Sequence, residues 1–307
     1  MSGPGVNAGV APIDPLAATV HGRYEDEVVV VEAVRTTRLP PRLRTVRTEH
    51  FDLTPLDGRV HVAHVVPRER VDDDLAGLLQ DELFGPGWLR GTDLFERVLT
   101  GVVRTSATDA LDSWELFYRN TLVRLDAPHR DPAAGAHGSI DGYAPVHDHV
   151  LDLLAPGSVL GLGCSFGFLS LRIARTGRAT TASDVSPGTV SLLAAMAPRL
   201  GVPLLITTAD AARFPAEDGT ADTVLAIHLL EHLEPGHGAQ AVAEALRLAR
   251  RRVVVAVPLE DEANETFGHV RTVSLDDLHR WGRSTGCAYD VHEFHGGWLV
   301  VDLPGAD

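Results

Sequence analysis

In residues 158–167, SVLGLGCSFG, a short apolar run ends in a glycine-rich turn. The amphipathic segment FLSLRIART follows directly, and a second apolar run ends at Asp184, 21 residues after Gly163. This order predicts a strand, a turn, a helix and a second strand. Glycines let a ligand approach the backbone closely, and a carboxylate about 20 residues further on binds a ribose diol in nucleoside sites. The alternative is an ordinary glycine turn with an aspartate that caps a helix.

Short apolar runs and amphipathic segments continue to alternate as far as residue 303. Alternation of this kind, with nearly continuous apolar strands, is typical of α/β folds in which helices cover both faces of a mostly parallel sheet. The last two runs, YDVHEF and GWLVVDLP, are joined by Gly296 and Gly297. This connection predicts an antiparallel C-terminal hairpin at one edge of the sheet.

The N-terminal part has a different pattern. Residues 1–20 are rich in glycine, alanine and proline, which predicts a flexible tail. Two valine-rich runs, Glu27–Val34 and Arg59–Val66, predict strands, and residues 72–125 predict helices.

The turn-rich segment 127–139 predicts a linker between two domains. We therefore expect an α+β accessory region over residues 21–137, which could recognise the acceptor, and an α/β domain over residues 138–307.

Composition limits the classes of partner. The 307 residues carry a net charge of −15, from 42 acidic and 27 basic side chains, and they include no lysine. Such a chain is poorly suited to binding nucleic acid or an anionic membrane. Cys164 and Cys287 are too few for a disulfide scaffold or a four-thiolate zinc site. Because no signal-peptide pattern or long apolar run is present, we expect a cytoplasmic protein.

Four segments in order, VLGLGCSFG, ASDVS, TADAARFP and ADTVLAIHLLEHL, resemble the motifs of class I S-adenosylmethionine-dependent methyltransferases. The resemblance covers about residues 138–303. It implies a Rossmann-like, doubly wound sheet of seven mostly parallel strands, with S-adenosyl-L-methionine as the cofactor. The spacing of Gly161, Gly163 and Gly167 fits the dinucleotide fingerprint poorly. An NAD(P)-dependent or nucleotide-sugar oxidoreductase remains the alternative for the same glycine turn.

The resemblance also implies how the cofactor is held. The glycine turn would line its methionine and ribose, and Asp184 would accept from the ribose hydroxyls. Val185 would lie against the adenine, whose amino edge Asp210 and Ala211 would contact, while His228 would border the sulfonium methyl. The implied cofactor-binding residues are Gly161, Gly163, Cys164, Ser165, Gly167, Asp184, Val185, Asp210, Ala211 and His228.

Two positions depart from the family pattern. Gly161 stands where the family usually has an acidic residue, and Ser165 replaces the commonest glycine. Affinity for the cofactor's ammonium group would then depend on another acid or on water. A non-catalytic binding protein of this fold is therefore a further alternative.

The candidate catalytic residues lie after the fourth strand. His228, Glu231 and His232 are spaced i, i+3 and i+4, which on a helix places them on one face. A hydroxyl acceptor profits from a general base, and we predict His232 or His228 for this role, with Glu231 orienting an imidazole. The spacing also matches the metal-binding pattern H-x-x-E-H, although a cluster that only packs and caps is a third interpretation. His269 is a second candidate for the base or for a substrate contact, and any metal is left open.

Other polar residues have simpler interpretations. Glu260, Asp261 and Glu262 predict a solvated acidic turn. Tyr143 and His147 precede the first strand on a helix that often covers the cofactor in this family, and core packing is expected for at least one of them. The N-terminal aromatic residues are expected in the core, with stacking on a sugar as the alternative: Trp88, Trp114, Phe117 and Tyr118.

The whole chain, including GSIDGYAPVHDHVLDLL followed by GCSFGFLSL, is similar to the methyltransferases of mycofactocin biosynthesis. Those enzymes act on the oligoglucosyl chain of this redox cofactor. The resemblance thus implies O-methylation of a glucose hydroxyl with a histidine as base. We expect a glycan or small-molecule acceptor, with no nucleic acid or membrane partner and the oligomeric state open. A small-molecule O- or N-methyltransferase of secondary metabolism is the alternative within the class.

Overall fold

A computed structural model describes residues 11–34, 45–127, 140–264 and 267–304. The chain divides into two compact units, residues 1–124 and 125–307. The sequence places this division at residues 137 and 138, at the end of a linker of which residues 128–139 lie outside the described part.

The described part of the first unit contains five strands, namely β1 (Arg23–Glu25), β2 (Val29–Ala33), β3 (Val46–Arg47), β4 (Phe51–Leu56) and β5 (Arg59–His64). They form one sheet in the order β1-β2-β5-β4-β3. β2 and β5 pair in parallel, whereas the other neighbours are antiparallel. Both valine-rich strands of the sequence prediction are present. The sequence does not predict the remaining three strands, because β1 and β3 are very short and β4 contains a proline.

Helices follow this sheet, as the sequence predicts. They are α1 (Leu75–Leu79), which continues into a π-helical turn at Gln80–Phe84, then α2 (Thr92–Arg104) and α3 (Ala110–Leu125).

The aromatic residues of the helices divide into two groups. Trp114, Phe117 and Tyr118 on α3 are at most 1% exposed, so they are core residues. Trp88, in contrast, precedes α2 and is 55% exposed.

Residues 11–20, which the sequence assigns to a flexible tail, are held against this unit. Trp114 Nε1 donates to the carbonyl oxygen of Pro15 (2.6 Å), and Arg104 Nη2 donates to that of Ala17 (2.6 Å). Both donor side chains are about 1% exposed. Backbone carbonyls make these bonds, which is why the side-chain composition of the segment gives no sign of them. Residues 1–10 lie outside the described part.

The described part of the second unit contains five helices and seven strands in near alternation. The helices are α4 (Ile140–Leu153), α5 (Phe168–Arg175), α6 (Pro187–Arg199), α7 (Pro235–Leu248) and α8 (Leu275–Thr285). The strands are β6 (Val159–Leu162), β7 (Thr180–Asp184), β8 (Leu205–Thr208), β9 (Ala221–Ile227), β10 (Ala249–Val257), β11 (Ala288–Glu293) and β12 (Gly297–Asp302).

These strands form one sheet in the order β11-β12-β10-β9-β6-β7-β8. The five strands from β10 to β8 are parallel, and β12 is antiparallel to both β10 and β11. The predicted α/β class, the Rossmann-like doubly wound sheet and the antiparallel C-terminal hairpin are thus confirmed. The strand order reverses direction at β6 and β9, and open α/β sheets bind ligands at the carboxyl ends of strands at such a point.

Two apolar cores cover the two faces of this sheet. Leu299 and Val301 of β12 pack with α7 and α8, whereas Trp298 and Val300 pack with α4 and α5. Successive side chains of a strand point to opposite faces, so β12 contributes to both cores.

No helix within the described ranges has the length and apolar character needed to cross a membrane.

Candidate active site

The glycine turn between β6 and α5 has a backbone that needs glycine. Gly163 and Gly167 have φ angles of +66° and +79°, in the left-handed region that other residues enter at a cost. A Cβ at Gly163 would lie 2.6 Å from Leu229 Cδ1, and one at Gly167 would lie 2.4 Å from Leu193 Cδ2. Side chains at these two positions would therefore displace the neighbouring leucines as well as strain the turn.

Asp184 connects the end of β7 to the glycine turn. Its Oδ2 accepts from the Ser165 N–H (2.9 Å), and its Oδ1 accepts from the Ser186 N–H (2.9 Å). Each carboxylate oxygen keeps a second lone pair for a further donor. Ser165 is exposed and has a φ of +49°, so this serine adopts a left-handed conformation that favours glycine. Burial raises the pKa of the adjacent Cys164 thiol to about 12, which leaves it protonated.

Gly161 lies buried within β6. A Cβ at this position would lie 3.3 Å from Ser170 Oγ on α5, which is tighter than an ordinary van der Waals contact. The helix therefore leaves little room for the acidic side chain that the family pattern has at this position.

Two further predicted cofactor residues lie beside this turn in the sheet order. Val185 directly follows β7 and is 69% exposed, so its apolar surface is open to a flat ligand. Asp210 follows β8, and its Oδ1 accepts from His237 Nε2 (2.8 Å). The backbone N–H of Ala212 donates to the same oxygen, while Ala211 is buried. Sequence reasoning missed His237, because only the fold brings the start of α7 close to Asp210.

His228 and the residues after it do not form the predicted α-helix. Only Leu230–His232 is helical, as a single 3₁₀ turn, and His228 has a φ of +50°. The prediction of one shared helix face is therefore wrong. The cause is that the His228 N–H donates to Ala256 O (2.8 Å), which extends the pairing with β10 beyond the end of β9. A non-glycine residue in this conformation costs about 1–3 kcal/mol, and such residues cluster at functional sites.

Glu231 is a buried carboxyl group that makes no side-chain hydrogen bond to the described residues. It is 1% exposed, and neither of its oxygens has a hydrogen-bond partner among the residues that the structure describes. Its Oε1 lies 3.8 Å from His228 Nδ1. Burial raises the pKa of Glu231 to about 8, and the negative charge of Glu260 acts in the same direction while Arg271 opposes it. Buried polar groups without partners are rare and call for an explanation.

His269 and His232 meet beside this carboxyl group. Their rings are perpendicular (86°), with centroids 4.9 Å apart. His269 Nδ1 donates to Glu260 Oε2 (2.7 Å), and His232 Nδ1 donates to the carbonyl oxygen of Gly268 (3.2 Å). Burial lowers the pKa of His232.

The side chain of Glu260 corrects one sequence expectation. The sequence predicts that residues 260–262 form a solvated acidic turn, and Asp261 and Glu262 are indeed exposed. Glu260, however, is 9% exposed and paired with His269, because the loop after β10 folds back on itself.

His147 on α4 is a second buried group of interest. Its Nδ1 has no hydrogen-bond partner among the described residues. Burial, helped by the charges of Arg172 and His228, lowers its pKa to about 3, so the ring is neutral. Arg172 pairs with Asp148 (2.8 Å) and Asp126 (3.3 Å), and no sequence motif singles it out.

The residues present fit an adenosine cofactor at the carboxyl ends of β6 and β7. The turn presents backbone without side chains at two glycines, Asp184 keeps lone pairs for a diol, and Val185 exposes an apolar surface. The acidic side chain that usually completes this motif is absent at Gly161.

Comparison with known proteins identifies this part of the chain. Residues 159–252 match the family model of a methyltransferase domain. No curated protein matches the chain.

Several solved structures are similar. An S-adenosylmethionine-dependent methyltransferase from Aquifex aeolicus is 17% identical over 51% of this chain and 87% of its own, with a TM-score of 0.42. A Pyrococcus horikoshii protein is 16% identical over 57% and 96%, with a TM-score of 0.46. Magnesium protoporphyrin IX methyltransferase from Synechocystis, solved with bound S-adenosylhomocysteine, is 17% identical over 60% and 93%, with a TM-score of 0.42.

The ordered motifs, the sheet topology and the matched domain agree with one another. Within the second unit, residues 159–252 carry a methyltransferase domain.

Proposed function

We propose that the enzyme methylates a glucose hydroxyl on the oligosaccharide of mycofactocin, with His228 as the general base. The observation that carries this proposal is the group of imidazole and carboxyl side chains at the ends of β9 and β10, beside the glycine turn. A hydroxyl group is a poor nucleophile and needs a base, whereas an amine or a thiolate attacks without one. The resemblance to the mycofactocin enzymes supports the choice of a glucose acceptor.

The cofactor part of the site is proposed as follows. Asp184 accepts from the ribose hydroxyls, Val185 lies against the adenine, and Asp210 contacts its amino edge. Gly161 leaves no acid for the ammonium group of the cofactor's methionine. The methionine would therefore be held mainly through its carboxylate. His147 and Arg172 are the candidate donors to this carboxylate, since each has a buried nitrogen without a hydrogen bond among the described residues.

His228 is proposed as the base because of its position. It follows β9, which pairs directly with β6, the strand that leads into the glycine turn, and its N–H donates to Ala256 O. Glu231, whose Oε1 lies 3.8 Å from His228 Nδ1, would orient the imidazole.

The proposed reaction is a single displacement at the methyl carbon. Bound S-adenosylmethionine supplies the methyl group, whose bond to sulfur breaks as the bond to the acceptor oxygen forms. The hydroxyl proton passes to His228, and the sulfonium charge disappears. Holding the two reactants in line is therefore a large part of what the protein contributes.

The N-terminal region, residues 21–137, is proposed to recognise the acceptor, and residues 138–307 to hold the cofactor and the reacting atoms. A small-molecule O-methyltransferase would use the same base. Methyl transfer to acceptors with and without a glucose chain distinguishes the two.

The test is transfer of radiolabelled methyl from S-adenosylmethionine to mycofactocin with and without its glucose chain. We expect label only on the glucosylated acceptor. His228→Gln should lower kcat by at least about 100-fold, which is the lower range of general-base contributions, with little change in affinity for S-adenosylhomocysteine. His279→Gln on α8 is the matched control and should stay active. Equal labelling of acceptors without glucose, or full turnover by His228→Gln, would contradict the proposal.

A further inference from the structure

The sequence singles out Glu231, His232 and His269 as separate candidates, and the fold brings them together in one group. Glu231 and His232 belong to the single turn after β9, and His269 lies on the loop after β10. Each offers one ligand atom, and these atoms lie within 4.8 Å of one another. The sequence pattern H-x-x-E-H suggested His228 as the third member, but the fold supplies His269 in its place.

Both histidines are already oriented. His269 donates from Nδ1 to Glu260 (2.7 Å), and His232 donates from Nδ1 to the carbonyl oxygen of Gly268 (3.2 Å). These bonds fix the tautomer that leaves Nε2 without a proton on each ring. Metal-binding histidines usually donate their second nitrogen to a carboxylate or a backbone carbonyl in this way.

Glu231 supplies the independent observation. Its carboxyl group is 1% exposed, with both oxygens lacking a hydrogen bond to any described residue. Arg271 is the nearby cation, but its Nε donates to Leu230 O (3.0 Å) and its guanidinium lies 5.7 Å from the Trp281 ring. A buried carboxylate without a partner costs several kcal/mol, and a bound cation removes this cost.

A second group of candidate ligands, Glu49, His50 and Glu82, shows the contrast. In the first unit, His50 uses Nδ1 for Glu82 (2.5 Å), while Arg70 lies 3.2 Å from its Nε2. Both ring nitrogens therefore have protein partners, and the backbone N–H of His50 occupies the other Glu82 oxygen. This group needs no metal.

We propose that Glu231, His232 and His269 bind a first-row divalent transition metal of the Zn²⁺ type. Two imidazoles and one carboxylate are the protein ligands of catalytic zinc sites, which keep one position open. Mg²⁺ and Ca²⁺ prefer oxygen ligands and fit this set poorly. Glu260 is a positioning residue that acts through His269.

The consequence of metal binding rests on the proposed function. In the open position the metal would take the acceptor hydroxyl and lower its pKa, so that His228 receives a proton that leaves more readily. Binding of the metal itself does not depend on the identity of the acceptor.

The test is a titration of the chelator-treated full-length protein with Co²⁺, followed by its visible absorption, and with Zn²⁺, followed by calorimetry. We expect one equivalent to bind tightly, with absorption typical of a site of low coordination number. Glu231→Gln and His269→Ala should each abolish binding of this equivalent or lower the affinity for the metal at least 100-fold. Glu260→Gln should lower the affinity for the metal about 10- to 100-fold, the range found for residues that hydrogen-bond to a metal ligand.

The controls separate folding and function from metal binding. His50→Ala removes a histidine from the other group and should keep the full equivalent, and every variant is checked for binding of S-adenosylhomocysteine. Metal bound equally by wild type, Glu231→Gln and His269→Ala would overturn the proposal, as would less than about 0.2 equivalents in wild type. A protein that binds the metal but fails to methylate glucosylated mycofactocin would refute the proposed function alone.

Discussion

The most informative substitution is Glu231→Gln in the metal-free protein, because it should make the enzyme more stable. The pKa of Glu231 in the folded chain is about 8, against 4.5 for the ordinary carboxyl group. A raised carboxyl pKa gives stability that is complete below pH 4.5 and is lost as the pH rises to 8. At pH 7 the loss corresponds to 2.5 pH units, or about 3 kcal/mol at 1.36 kcal/mol per unit. Glutamine has a similar shape and carries no proton to lose.

Calorimetry in the presence of a chelator measures this effect. We expect the unfolding transition of the second unit to rise by several degrees in Glu231→Gln at pH 7, since about 1 kcal/mol corresponds to 2–4 °C in a domain of this size. At pH 5 the difference should fall below about 1 kcal/mol, because this pH lies only about half a unit above the unfolded pKa of 4.5. Added Zn²⁺ should stabilise the wild type and leave the variant unchanged. A variant that is less stable than wild type at pH 7 without metal would refute the reasoning.

Three other predictions concern different parts of the chain. Asp184→Ala should weaken S-adenosylhomocysteine binding about 10- to 100-fold in calorimetry, as expected for lost bonds to a charged group, and an unchanged Kd would remove Asp184 from the site. Ser165→Gly should raise the free energy of unfolding by about 0.5–1 kcal/mol, because glycine relieves the positive φ yet keeps the N–H bond to Asp184; a lower urea midpoint would count against this. Burial lowers the pKa of His64 to about 4. The free energy of unfolding of the first unit should therefore fall by about 3 kcal/mol as the pH falls from 6.5 to 4. His64→Gln should abolish this pH dependence, and a variant that keeps it would show that another group is responsible.

Local sequence patterns were sufficient for the fold of the second unit. Its strands are apolar runs bounded by turns, and the glycine pair before the last strand gave the hairpin. The proximity of Asp184 to the glycine turn also follows from the pattern, since adjacent parallel strands end at the same edge of a sheet. Strands without this signal, such as β3 and β4 of the first unit, were missed.

The candidate site was predicted less completely, because its contacts join segments that are distant in sequence. The pattern H-x-x-E-H assumes a helix, yet the residues form a 3₁₀ turn in which His228 has a positive φ. His269 joins Glu231 only through the loop after β10. Glu260 was expected in solvent because it stands in an acidic run, and its pairing with His269 depends on tertiary structure.

We propose that the ends of β6 and β7 hold the cofactor with its reactive end toward His228. A crystal structure of the full chain with S-adenosylhomocysteine tests this most directly. We expect the ribose hydroxyls within hydrogen-bond distance of Asp184, the adenine against Val185 and the sulfur facing His228. A nucleoside bound elsewhere, or bound here without a contact to Asp184, would contradict the account.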